Sequence, residues 1–74
     1  RLDRYYTELV IEDDSRWIGK PMAEFNRYYD GRLEVAEWLR AGVPQHNKGK
    51  EAVLAAGDVL FASATPDEIA TVEG

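Results

Sequence analysis

From Tyr5 to Ile11 the side chains alternate, with Tyr5, Thr7, Leu9 and Ile11 on one side, which is the period-two pattern of a half-buried strand. Glu12-Asp13-Asp14-Ser15 breaks it as a polar turn. Ser15 to Lys20 reads as a loop with two buried anchors, Trp17 and Ile18, and Gly19 allows a backbone angle that other residues resist. Pro21 suits the first position of a helix, where its missing N–H costs nothing. Met22, Phe25 and Tyr29 then recur at helical spacing, Glu24 favours the positive end, and the helix ends near Asp30-Gly31. Leu33 to Leu39 alternates again. Leu33, Val35, Glu37 and Leu39 fall on one face and Glu34, Ala36, Trp38 and Arg40 on the other. Ala41-Gly42 is a tight reversal into Val43–His46, an antiparallel partner that Pro44 confines to an edge or an irregular position. Asn47-Lys48-Gly49-Lys50 is a polar loop. Val53-Leu54 is a short apolar step, Gly57-Asp58 a turn, and Val59–Ala62 the most hydrophobic strand. Thr65-Pro66-Asp67-Glu68 starts a last helix, with Thr65 as cap, Pro66 at the first position and Ile69 and Val72 facing inward. The elements add up to an α+β domain, a small antiparallel or mixed β-sheet covered by two short helices.

Composition narrows the function classes. Seventy-four residues, 45% hydrophobic, make one domain spanning residues 1–74, whose modest core invites support from a partner or from the rest of a longer protein. The chain opens on Arg1, and a piece of a larger polypeptide is the expected context. Neither a signal peptide nor an apolar run of about 18 residues occurs in it. Cysteine is absent, so disulfides, thiolate chemistry and Cys-based metal sites fall away, in keeping with a cytosolic setting. Nine basic against fourteen acidic residues, a formal charge of −5, and dispersed Lys and Arg argue against a nucleic-acid partner.

Little catalytic equipment is visible. His46 is the single histidine and reads as a loop-edge residue bonded to its neighbours, the alternative being a ligand or anion contact shared with Gln45 and Asn47. Glu12-Asp13-Asp14 reads as a solvated turn, because consecutive residues do not converge their oxygens on a cation. Gly19-Lys20 lacks the glycine-rich loop of a phosphate-binding motif. No catalytic residue, metal site or cofactor is assigned, and the chain does not read as an enzyme. The aromatic residues are more informative. Trp17, Phe25 and Phe61 fit the core, whereas Trp38 shares the polar side of its strand with Glu34 and Arg40, as a lid over the sheet edge or as a subunit contact.

Several ordered segments bear a family likeness. Leu9-Val10-Ile11, Ser15 through Phe25 with its Ile18-Gly19-Lys20 step, Leu33 through Arg40 before a hairpin turn, Val53 through Phe61 with Leu54-x-x-Gly57-Asp58-x-Leu60, and Thr65-Pro66-Asp67-Glu68-Ile69 together resemble the TrkA C-terminal (RCK C-terminal) domain. The likeness covers essentially the whole chain. It implies a cytosolic regulatory domain of a potassium uptake system or another cation or anion transporter, on the cytoplasmic side of the membrane and attached to a membrane-embedded portion. It further implies a homodimer that senses a small-molecule or nucleotide effector, the alternative being a purely structural dimerisation module without a ligand. Some relatives of this kind bind cyclic di-AMP through an Asp or Asn, an Arg and an Asn. Here Arg27, Tyr29 and Glu34 stand at those places, which argues against that ligand. Trp38, Arg40, Gln45, His46 and Asn47, a donor-rich hairpin beside a Trp, are the candidate ligand or interface residues.

Overall fold

The alternation at the start of the chain becomes β1, Tyr5–Val10, in a computed structural model that describes residues 3–46 and 52–71. It is followed by α1 (Met22–Tyr28), β2 (Leu33–Arg40), β3 (Val43–Pro44), β4 (Val59–Ala64) and α2 (Pro66–Thr71). The four strands form one sheet in the order β1-β4-β2-β3 with every neighbouring pair antiparallel, so the fold is the small α+β arrangement that the pattern predicts. The last strand in sequence is central. Its Leu60, Ala62 and Ala64 are buried because strands flank it on both sides and α1 covers one face of the sheet.

Register decides which side chains share a row. Leu9 and Trp38 both pair with Leu60, Thr7 and Val35 with Ala62, and Tyr5 and Leu33 with Ala64. These rows form the inner face, against which Met22, Phe25 and Tyr29 of the α1 segment are buried at the helical spacing seen in the sequence. Trp17 completes the cluster, edge-on to Phe25 at 5.1 Å and to Tyr28 at 5.4 Å between ring centroids. Its indole Nε1 is buried without a hydrogen-bond partner among the described residues.

The two segments around Gly19 and Gly57 are stitched to each other. The Gly19 N–H donates to the Leu54 carbonyl at 2.8 Å, Leu54 N–H to Lys20 at 2.9 Å, and Met22 N–H to Ala52 at 3.2 Å. Pro21 sits in this short bridge opposite Val53, extended at ψ 144°, so it caps α1 from outside the first turn that the sequence assigned to it. Gly57 closes the neighbouring turn at φ 85°, and its N–H extends the sheet by donating to Ile11 at 2.7 Å. Thr65 Oγ1 accepts from the Glu68 N–H at 3.4 Å, as the capping pattern predicts.

Four further sequence expectations are corrected. Ile18 is 40% exposed, because the turn at residues 17–20 directs Trp17 inward and Ile18 out. Phe61 is also 40% exposed, since its row is on the sheet face away from α1. Trp38 is buried on the inner face and does not share a polar face with Glu34. The cause is a β-bulge: Val35 pairs with Ala62 but Glu37 with Phe61, so Ala36 is an extra residue and the alternation slips by one. The return strand is shorter than the expected Val43–His46: β3 is Val43–Pro44, with one further backbone bond from Gln45 to Trp38. Asn47, the Lys48–Lys50 loop, Val72 and the Ile69 side chain lie outside the described set.

Candidate functional site

The bulge that turns Trp38 inward also aims Arg40 along the same face, and both reach the turn that begins β4. There Asp58 is fully buried. Its carboxylate accepts from Trp38 Nε1 at 2.9 Å, Arg40 Nε at 2.8 Å, Arg40 Nη2 at 2.9 Å and the Ala55 N–H at 2.9 Å. Arg40 Nη2 donates in addition to the Val53 carbonyl at 2.8 Å. A buried carboxylate is tolerated only with such partners, and the guanidinium fork meets it side-on with two parallel bonds. Burial by itself pushes the Asp58 carboxyl up, yet the bonds from Arg40, Trp38 and Ala55 outweigh it and hold the group below its ordinary 3.8. Arg40 is correspondingly pushed up by its bonds to Asp58 and remains a cation. The constellation is a tie between the end of β2, the Val53–Ala55 step and the β4 turn.

Gln45 hangs from the same region. Its N–H donates to the Trp38 carbonyl at 2.7 Å and its side-chain amide to Val43 at 3.0 Å. Beside it a shallow cleft of about 190 Å³ opens between α1 and β2, walled by Met22, Asn26, Val35, Ala36 and Trp38. Trp38 and Gln45 are therefore brought to one cleft. Arg40 is committed to Asp58, and His46 is exposed at the end of the hairpin. Of the positions compared with the cyclic di-AMP pattern, Arg27 and Glu34 are exposed and Tyr29 is buried in the core. Glu12, Asp13 and Asp14 are exposed on their turn. Among the described residues no three metal-ligating side chains converge, and no helix is long and apolar enough to cross a membrane.

Sequence reading took Asp58 for a turn residue only. The available signal was a lone carboxylate inside the apolar run from Val53 to Phe61, together with a lone Arg ending a strand two residues after a Trp. Buried charges require partners, so those two were each other's best candidates. The bulge that lets them meet has no such signature.

A family model described as the TrkA-C domain matches residues 6–73. No curated protein and no solved structure matches the chain.

Proposed function

We propose, starting from this chain's membership of the TrkA-C domain family, a family of regulatory domains of ion transport systems, that it serves such a system as a dimerising, effector-sensing domain on the cytoplasmic face of the membrane. The match over residues 6–73 is the observation that carries this reading. The geometry supports it in one respect. The Asp58–Arg40–Trp38 tie makes the hairpin, the Val53–Ala55 step and the central strand one stiff unit, and the α1–β2 cleft opens on that unit. A ligand held there is thereby coupled to the whole sheet, and a preference of the ligand for one dimer arrangement becomes a population shift in the attached transporter.

The effector site consists of the Trp38 and Gln45 wall of the cleft, with Asn26 as a second amide and the exposed His46, next in sequence to Gln45, as a further contact. Among the described residues the cleft is lined by no Lys or Arg that could meet a phosphate, so the effector is a small uncharged or cationic polar molecule. Sedimentation of the chain, combined with a thermal-shift screen of nucleotides, amino acids, polyamines and inorganic ions, tests this. A dimer whose melting temperature rises with a neutral or cationic compound, and not with cyclic di-AMP, is expected. The rise should be lost in Gln45→Ala and Asn26→Ala. A monomer at high concentration would refute the dimeric reading.

One observation favours a second reading, a dimerisation module without a ligand. Arg40 has its guanidinium occupied by Asp58 and the Val53 carbonyl. A dimer whose melting responds to no compound in the screen supports that alternative.

A further inference from the structure

The sheet has a second face, turned away from α1 and largely open to solvent at Tyr6, Val10 and Phe61. Its side chains follow from the register: Tyr6, Ser63 and Glu34 in one row, Glu8, Phe61 and Glu37 in the next, and Val10, Val59, Leu39 and Pro44 in the third. Tyr6 is 85% exposed, and Phe61 and Val10 are also open to solvent. Contiguous apolar surface of this kind on a sheet is costly to leave bare and marks a contact site.

The charges beside it are of one sign. Glu8 and Glu37 both lie opposite Phe61, one from each neighbouring strand, and Glu34 stands one row away. All three are exposed, and none of them forms an ion pair with a described cation. A face built only for its own stability would set a Lys or Arg across from a Glu. The described cation at its margin, Arg4, is turned onto Ser63, donating to its hydroxyl at 3.3 Å and its carbonyl at 2.9 Å. The remaining field is an apolar centre with carboxylates around it.

A second copy of this chain is the wrong occupant. A two-fold contact through the face sets its three carboxylates against three more, a like-charge meeting that disfavours association. We infer that the outer face of the sheet, centred on Phe61 between Glu8 and Glu37, is a docking surface for a Lys/Arg-rich amphipathic protein segment, whose apolar side covers Phe61, Val10 and Val59 while its cations meet the glutamates. The regulatory reading above supplies the source of that segment. Cytoplasmic stretches next to membrane spans carry an excess of Lys and Arg, so the partner is a juxtamembrane segment of the transporter being regulated. That identification rests on the regulatory reading, whereas the chemistry of the face does not.

The test titrates the isotope-labelled chain with a synthetic amphipathic Leu/Lys peptide and, in parallel, its Leu/Glu counterpart, following amide resonances and peptide fluorescence anisotropy. The Leu/Lys peptide should shift resonances of Tyr6, Glu8, Glu37 and Phe61 and bind less tightly as salt rises. Glu8→Lys/Glu37→Lys should weaken it by about tenfold or more, and Phe61→Ser should weaken it at unchanged salt dependence. Both changes are at exposed positions, and circular dichroism checks that the variants fold. Equal binding of the two peptides, shifts confined to other surfaces, or an unaffected charge-reversed variant would each overturn the inference. So would loss of a wild-type dimer in Glu8→Lys/Glu37→Lys, which would make the face a contact between copies. If the chain dimerises and answers an effector but ignores the peptide, only the docking surface falls. If the peptide docks on this face while the chain is a monomer that answers no effector, the regulatory reading falls and the surface stands.

Discussion

Replacing Asp58 by Asn keeps the shape of the buried tie and removes its charge. Four donors point at the carboxylate, and only one amide oxygen would remain to receive them. If that oxygen takes the place of Oδ2, it keeps the bonds from Trp38, Ala55 and Arg40 Nη2, and the amide N–H₂ then faces the Arg40 Nε donor. Breaking a fully buried ion pair by removing one partner costs about 3–5 kcal/mol. Here Arg40 is 42% exposed and is partly re-solvated, so solvent screening brings the expected loss to about 2–3 kcal/mol. A domain of 74 residues has a total stability of about 4–11 kcal/mol, so the change removes a large part of the margin. It should lower the melting temperature by about 10–20 °C. Urea and thermal unfolding at neutral pH, followed by tryptophan fluorescence, measure this, with the exposed Glu12→Gln as the control. Arg40→Met should cost at least as much, because it leaves a buried carboxylate without a counter-charge. The double variant should then show a coupling of about 1–3 kcal/mol. If Asp58→Asn stays within about 0.5 kcal/mol of the parent, the tie is not what joins β2 to the β4 turn.

Three further outcomes follow from the same geometry. Because the folded Asp58 carboxyl is held below 3.8, its contribution is present above the unfolded value and is lost as pH falls through the folded one. Acid unfolding should therefore begin below about pH 4 for the parent, and Asp58→Asn should lack this component in pH-dependent denaturation. Trp38→Phe should destabilise more than Trp17→Phe, by about 1–2 kcal/mol in urea titrations, since only the Trp38 N–H is bonded to the carboxylate while that of Trp17 has no partner. Equal losses would count against the hub. Ala41 occupies the left-handed region at φ 51° in the hairpin turn, so Ala41→Asn should raise stability by about 0.5–1 kcal/mol in the same assay, and no gain would refute that turn geometry.

Much of this protein was legible in the residue pattern because local signals there are strong and consistent. Alternation at Tyr5–Ile11, the Met22-Phe25-Tyr29 spacing, the Ala41-Gly42 reversal and the Thr65 cap each depend on a few neighbouring residues. The structure realises each of them. The ordered segments were also enough to point to the family whose match extends over residues 6–73. Local chemistry determined these features, and no long-range contact was needed to read them.

The tertiary structure decided which side of β2 is inside. One extra residue at Ala36 shifts the alternation, so Trp38 and Arg40 turn to the buried face and reach Asp58, twenty and eighteen positions along the chain. A bulge is fixed by the register of the neighbouring strand, which the residues of β2 do not encode by themselves. The same register gathers Glu8, Phe61 and Glu37 from three strands into one row, and leaves Phe61 exposed although its hydrophobicity suggested the core. Hydrophobic pattern sets how much can be buried. Only the pairing of distant strands selects which residues are buried and which charges meet.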